Sequence, residues 1–147
     1  MSEGLVLNFK VLPNDFSRAG EASSTVKNKL KKLGVNPYII RKVAVAMYEG
    51  EINMVIHGGG GEIEVTITPK EIKMVLEDAG VGIADVEKAM QKGFSTATDS
   101  IRSMGFGAGM GLPNMKSHTD EMNIDTQVGR GTKVTMTVYL DQGENHE

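Results

Sequence analysis

Apolar and polar residues alternate from Leu5 to Val11, with Leu5, Leu7, Phe9 and Val11 on one face, and this period of two predicts a strand that ends at Pro13. The period then changes. Between Ser17 and Leu33 the apolar positions Ala19, Ala22, Val26, Leu30 and Leu33 recur at helical spacing, and Gly34 is a natural C′ stop. Asn36 and Pro37 supply an N-cap and an N1 proline for a second helix running to about His57, where four consecutive glycines end it. Ile39, Ile40, Val43, Ala44, Val45, Ala46 and Met47 make that helix apolar on most sides, so it is expected to be largely buried.

Alternation returns from Glu62 to Thr68, with Ile63, Val65 and Ile67 inward, and resumes after Pro69 and Lys70 as Ile72, Met74 and Leu76, which predicts a hairpin. A short helix is expected from Ala84 to about Gln91. Lys92 to Gly109 has no clear period and reads as a mobile loop. Leu112 to about His118 is a further helix, and Met122 to Val128 and Thr132 to Tyr139 are two last strands joined by Gly129, Arg130 and Gly131. Hairpin-linked strands with helices arriving in pairs imply an α+β two-layer sandwich. Residues 1–140 form a single expected domain, and 141–147 a polar, frayed tail.

Composition narrows the function. With 147 residues, 39% hydrophobic and 24% charged, the chain suits one domain that must carry the whole activity. A formal net charge of -3 argues against nucleic-acid binding, which needs a positive field. The absence of cysteine excludes disulfides, zinc-thiolate sites and thiol nucleophiles, and three scattered histidines argue against a transition-metal site, leaving a hard cation open. No apolar run approaches the roughly 18 residues of a membrane span, so the expected compartment is the cytoplasm.

Four features carry candidate chemistry. Glu49, Asn53 and His57 are four residues apart, so they share one face of an otherwise apolar helix. A buried carboxylate and amide need partners, so the stripe either lines a site or is a solvated face. In Asp78-Ala79-Gly80-Val81-Gly82, strand parity puts Asp78 on the side of Ile72, Met74 and Leu76. An inward carboxylate followed by two permissive glycines suits a flat polar base, although a plain turn would read the same way. Glycine occupies every second position from Gly105 through Gly107 and Gly109 to Gly111, just before Leu112, Pro113 and Asn114 open a helix. Backbone N–H groups there attract phosphate; a flexible linker is the alternative. Thr132, after Gly131, shares inward parity with Val134, Met136 and Val138 and would complete a polar rim with Asp78, or simply bond to backbone.

In order and spacing, Glu49-x-x-x-Asn53, Asp78-x-Gly80-x-Gly82, the Gly105 to Gly111 run and Gly131-Thr132 resemble the N, G1, G2 and G3 boxes of the GHKL ATPase superfamily across about Ala44 to Val138. Glu49, Asn53 and His57-Gly58 resemble the anti-sigma-factor serine kinases. Gly82 to Thr96 and Gly111-Leu112-Pro113 look more like the stressosome switch kinases. The resemblance implies a Bergerat-type ATP-binding fold, with a mixed, mostly antiparallel sheet and helices on one face. It implies ATP and Mg²⁺ as cofactors, with Asn53 on the metal, Glu49 as general base, Asp78 on the adenine amino group and Thr132 supporting the base. His57, Gly80, Gly82 and Ile83 would line the nucleotide, and Gly105, Gly107, Gly109 and Gly111 the phosphate lid. The activity implied is a regulatory serine/threonine protein kinase acting on a protein partner, a STAS-type anti-sigma antagonist or a sigma factor, with a homodimer open. A nucleotide-gated binding module without phosphotransfer is the alternative. Three residues depart from the pattern: Tyr48 replaces the usual serine or threonine, Ile52 the arginine of the switch kinases, and Glu51 is expected to add a second acid near the metal.

Overall fold

The alternating segments become strands and the segments with helical spacing become helices. A computed structural model describes residues 4–12, 18–56, 60–78, 111–127 and 130–140. They form β1 (Leu5–Val11), α1 (Glu21–Lys32), α2 (Pro37–Ile56), β2 (Gly61–Ile67), β3 (Glu71–Asp78), α3 (Gly111–Ser117), β4 (Glu121–Gln127) and β5 (Gly131–Tyr139). The expected helix at Ala84 to Gln91, the loop from Lys92 to Gly109 and the tail from Asp141 lie outside the described residues.

The five strands make one sheet in the order β1-β2-β3-β5-β4. A mixed, mostly antiparallel sheet was expected, and all four pairings among the described strands are antiparallel. Connection length explains two of the four, since β2–β3 and β4–β5 are joined by turns too short for a parallel crossover. Ile63, Val65, Ile67, Ile72, Met74, Leu76, Val134, Met136 and Val138 form the buried face, packed with Val26, Leu30, Val43 and Met47 of α1 and α2. The opposite parity carries Glu62, Glu64, Lys73, Glu77 and Lys133, all exposed. Helices on one face and solvent on the other give the two-layer α+β sandwich that the patterns predict.

Helix boundaries follow local chemistry. Asn36 Oδ1 accepts the Tyr38 N–H at 2.7 Å, which makes Asn36 the N-cap of α2 with Pro37 at N1. α1 ends in a Schellman pattern, in which the Val35 N–H reaches Leu30 O at 3.1 Å and the Gly34 N–H reaches Lys31 O at 3.1 Å. Its start is unusual. The N-cap is Gly20, in left-handed geometry with φ 96°, and it offers no side-chain acceptor. That helix therefore begins at Glu21, later than the spacing from Ser17 suggests.

The missing cap comes from another helix. Glu51 of α2, 3% exposed, accepts the Ala22 N–H through Oε2 and the Ser23 N–H through Oε1, both at 3.1 Å. A carboxylate thus satisfies two orphan donors at the positive end of α1. This corrects the expectation that Glu51 stands near a metal beside Glu49. Two positions along a helix rotate the side chain by about 200°, so Glu49 and Glu51 leave α2 on opposite sides. Ile52 is buried as well, 5% exposed, and its apolar side chain belongs to the interior.

Gly50 sets how closely α2 lies on the sheet. A Cβ there would come within 2.5 Å of Leu76 Cδ2 and 3.3 Å of Met115 Cε, so both β3 and α3 approach the bare helix backbone. On an exposed helix Gly→Ala stabilises by about 1 kcal/mol. Here overpacking costs about 1–3 kcal/mol, and the expected sign reverses: Gly50→Ala lowers the unfolding free energy in urea and Gly50→Val lowers it further. A more stable Gly50→Ala protein would mean that the contact is loose. Glu51→Ala strands two buried N–H groups and is expected to cost about 1–3 kcal/mol in the same experiment, and an unchanged urea midpoint would refute the cross-helix cap.

Candidate functional site

The site takes residues from the sheet and from two helices. β3 carries Asp78 on the buried parity, two residues beyond Leu76, or roughly 7 Å along the strand. Leu76 is where α2 touches the sheet through Gly50, so the same end of the sheet lies beneath the Glu49 to Asn53 turn of α2. Gly61 lets that end pack closely: it pairs with Asp78, and a Cβ on it would lie within 2.8 Å of both Asp78 Cα and Met54 Cε.

Asp78 and Thr132 come together as their parity predicts. They are register partners on β3 and β5, and the Thr132 backbone N–H donates to Asp78 Oδ1 at 3.2 Å. The Thr132 hydroxyl lies 2.8 Å from the hydroxyl of Thr126, which faces it on β4, and Thr126 also donates to Gly131 O at 3.2 Å. Asp78, Thr132 and Thr126 therefore form one polar row across three neighbouring strands. Thr126 was absent from the sequence-derived candidates. Its inward parity with Met122 and Ile124 was readable, but its place opposite Thr132 required the hairpin register.

Glu49 and Asn53 project from α2 toward α3, both half-buried. Glu49 Oε2 accepts a hydrogen bond from Asn114 Nδ2 at 3.2 Å. Asn53 Nδ2 lies 3.9 Å from the sulfur of Met115, which is 1% exposed. That weak bond turns the amide so that Oδ1, which accepts no hydrogen bond from the described residues, is the atom left for a ligand. Tyr48 stands beside these acids, 39% exposed, with its ring against Gly20. Burial raises its phenol pKa above the usual 10.0, and the negative charges of Glu49 and Glu51 raise it further.

The other candidates are placed differently. Gly111 is the first residue of α3. His57, Gly80, Gly82, Ile83, Gly105, Gly107 and Gly109 lie outside the described residues. Among the described residues no helix is long and apolar enough to cross a membrane.

Most of the chain that carries this arrangement matches a recognised family. The family model described as a histidine kinase-like ATPase domain matches residues 12–138. The chain belongs to that family. Among curated relatives of this histidine kinase-like ATPase domain, the serine/threonine-protein kinase RsbT of Bacillus subtilis (strain 168) is 30% identical, over 78% of this chain and 83% of its own. An anti-sigma F factor of Thermoanaerobacter sp. (strain X514) is 35% identical over 69% of this chain and 71% of its own. The anti-sigma F factor of B. subtilis (strain 168) is 28% identical and aligns over 98% of this chain and 97% of its own length. GHKL-type membership, and the similarity to anti-sigma factors and a serine/threonine kinase, agree with the order of motifs along the chain.

Proposed function

We propose that this chain is an ATP-dependent regulatory serine/threonine protein kinase of the anti-sigma type, which uses Mg-ATP to phosphorylate a protein partner. The observation that carries the proposal is the Glu49 and Asn53 pair on α2. One side chain is a carboxylate held by a neutral amide, and the other presents a carbonyl oxygen that accepts no hydrogen bond among the described residues. The names of the relatives support it: one is a serine/threonine-protein kinase and others are anti-sigma F factors. The partner proposed is a STAS-type anti-sigma antagonist or a sigma factor.

Each residue has a role in this reading. Asn53 Oδ1 fits a hard cation, and Mg²⁺ keeps several waters and needs few protein ligands, so phosphate oxygens and water would complete its shell. Mg²⁺ would neutralise charge on the phosphates. Glu49 takes the proton from the partner's hydroxyl as its oxygen attacks the γ-phosphorus and ADP leaves. Asp78 accepts from the adenine amino group, and Thr132 with Thr126 supports the base on a rigid sheet end. Guanine would turn a carbonyl oxygen toward Asp78, acceptor against acceptor. Asp78 thus favours adenine by chemistry as well as by shape.

Asp78→Asn is isosteric and keeps an oxygen for the Thr132 N–H, so its effect on the fold is expected to be small. Loss of a charged hydrogen bond costs about 1.5–3 kcal/mol, which predicts roughly tenfold to hundredfold weaker ATP binding. Calorimetry with ATP and GTP tests the assignment, and equal affinity for the two nucleotides would remove it. Glu49→Ala and Asn53→Ala are expected to differ from each other. The first slows phosphate transfer by about 10²- to 10⁴-fold with little change in Mg-ATP affinity. The second weakens binding and turnover together. Calorimetry for binding, and mass spectrometry of candidate partners for transfer, separate the two patterns. If the unaltered protein binds a partner with an affinity that depends on ATP against ADP, yet phosphorylates none, it is a nucleotide-gated binding module and Glu49 is a structural acid.

A further inference from the structure

Asn114 and Met115, consecutive on α3, reach three positions of α2. Asn114 donates to Glu49 Oε2 at 3.2 Å, and Met115 lies against Gly50 and accepts from Asn53. Met115 is almost fully buried. Its packing fixes the height of α3 on α2, and so the point at which the Asn114 amide meets the carboxylate.

A glutamate is a poor candidate for precise work when unsupported. Its side chain has three rotatable bonds, and half-burial leaves several rotamers open. Proton abstraction needs the accepting oxygen within hydrogen-bond reach of the hydroxyl, and small misplacements are costly. One donor on one carboxylate oxygen removes most of that freedom. The donor here is a neutral amide, which anchors the carboxylate without cancelling its charge as Lys or Arg would.

We propose that Asn114 is a positioning residue for Glu49: by holding Oε2 it leaves Oε1 to face the hydroxyl that is to be phosphorylated. The inference rests on the reading of Glu49 as general base. Asn114 touches no reacting atom and acts only through Glu49.

Asn114→Asp keeps the shape and exchanges the donor for a like charge, whereas Asn114→Gln keeps an amide donor on a longer arm. Single-turnover phosphate transfer to the partner is expected to fall roughly tenfold to a hundredfold in Asn114→Asp, with Mg-ATP affinity by calorimetry unchanged, and to recover in part in Asn114→Gln. In a Glu49→Ala background Asn114→Asp should cost nothing further, because residues that act through one another are not additive. An equal loss in both backgrounds, or no loss in either, overturns the proposal. A second readout does not depend on transfer. In nucleotide-free protein the side-chain amide resonance of Asn114, assigned by its loss in Asn114→Asp, should move in Glu49→Ala, and an unmoved resonance overturns the contact itself. If the unaltered protein transfers no phosphate while that resonance moves, the kinase reading falls and the Asn114 to Glu49 contact stands.

Discussion

The closeness of α2 to β3 at Gly50 governs everything else in this fold. Leu76 and Met115 occupy the space that any side chain at position 50 would need, so the backbone of α2 serves as a packing surface for the sheet on one side and for α3 on the other. Core packing at crystal-like density makes that distance stiff. The chemistry is attached directly to this contact. Glu49 precedes Gly50, Asn53 follows it by less than one turn, and Asp78 lies two residues beyond Leu76. The relation between the helix-borne and sheet-borne halves of the site is therefore fixed by apolar packing between them.

α2 also serves two different electrostatic tasks on opposite faces. Glu51 turns away from the site to close the N-terminus of α1, where Gly20 provides the left-handed turn but no acceptor. Glu49 turns toward α3 and takes a single bond from a neutral amide. The chemical distinction follows from the partners. Glu51 accepts a backbone donor on each oxygen and is nearly sealed from solvent, which makes its role structural. Glu49 is half-buried and, among the described residues, takes its bond on one oxygen only.

Much of this was legible in the chain. Period-two alternation placed all five described strands within one or two residues, and Asn36-Pro37 and Gly34 marked the α1–α2 corner because capping is local chemistry. That Asp78 and Thr132 lie on the same face of the sheet followed from parity alone. What parity and period cannot supply is register and the contacts between elements. Thr126 joins the polar row only because the β4–β5 hairpin sets it opposite Thr132, and Asn114 matters only because Met115 packs beside Gly50. The misplacement of Glu51 has a different origin. Two acids close together in sequence suggested one charged patch, although helical geometry already separates them by about 200°.

The two halves of the site differ in how they are held. Asp78, Thr132 and Thr126 sit in hydrogen-bonded strands and bond to one another through backbone and side chain, so the surface expected to meet a base cannot change without breaking ladder bonds. Among the described residues, Glu49 and Asn53 are oriented by one hydrogen bond from an amide and one weak contact to sulfur, both from a helix of seven residues. A bond to a carboxylate contributes about 1.5–3 kcal/mol and a contact to sulfur about 1 kcal/mol or less, against the many bonds of a sheet. The residues proposed to recognise the base thus sit on the more rigid part of the fold, and the groups proposed for phosphoryl transfer on the part that is easier to adjust. A short helix that touches both groups is then the natural place for small changes in packing to alter transfer while leaving nucleotide binding intact.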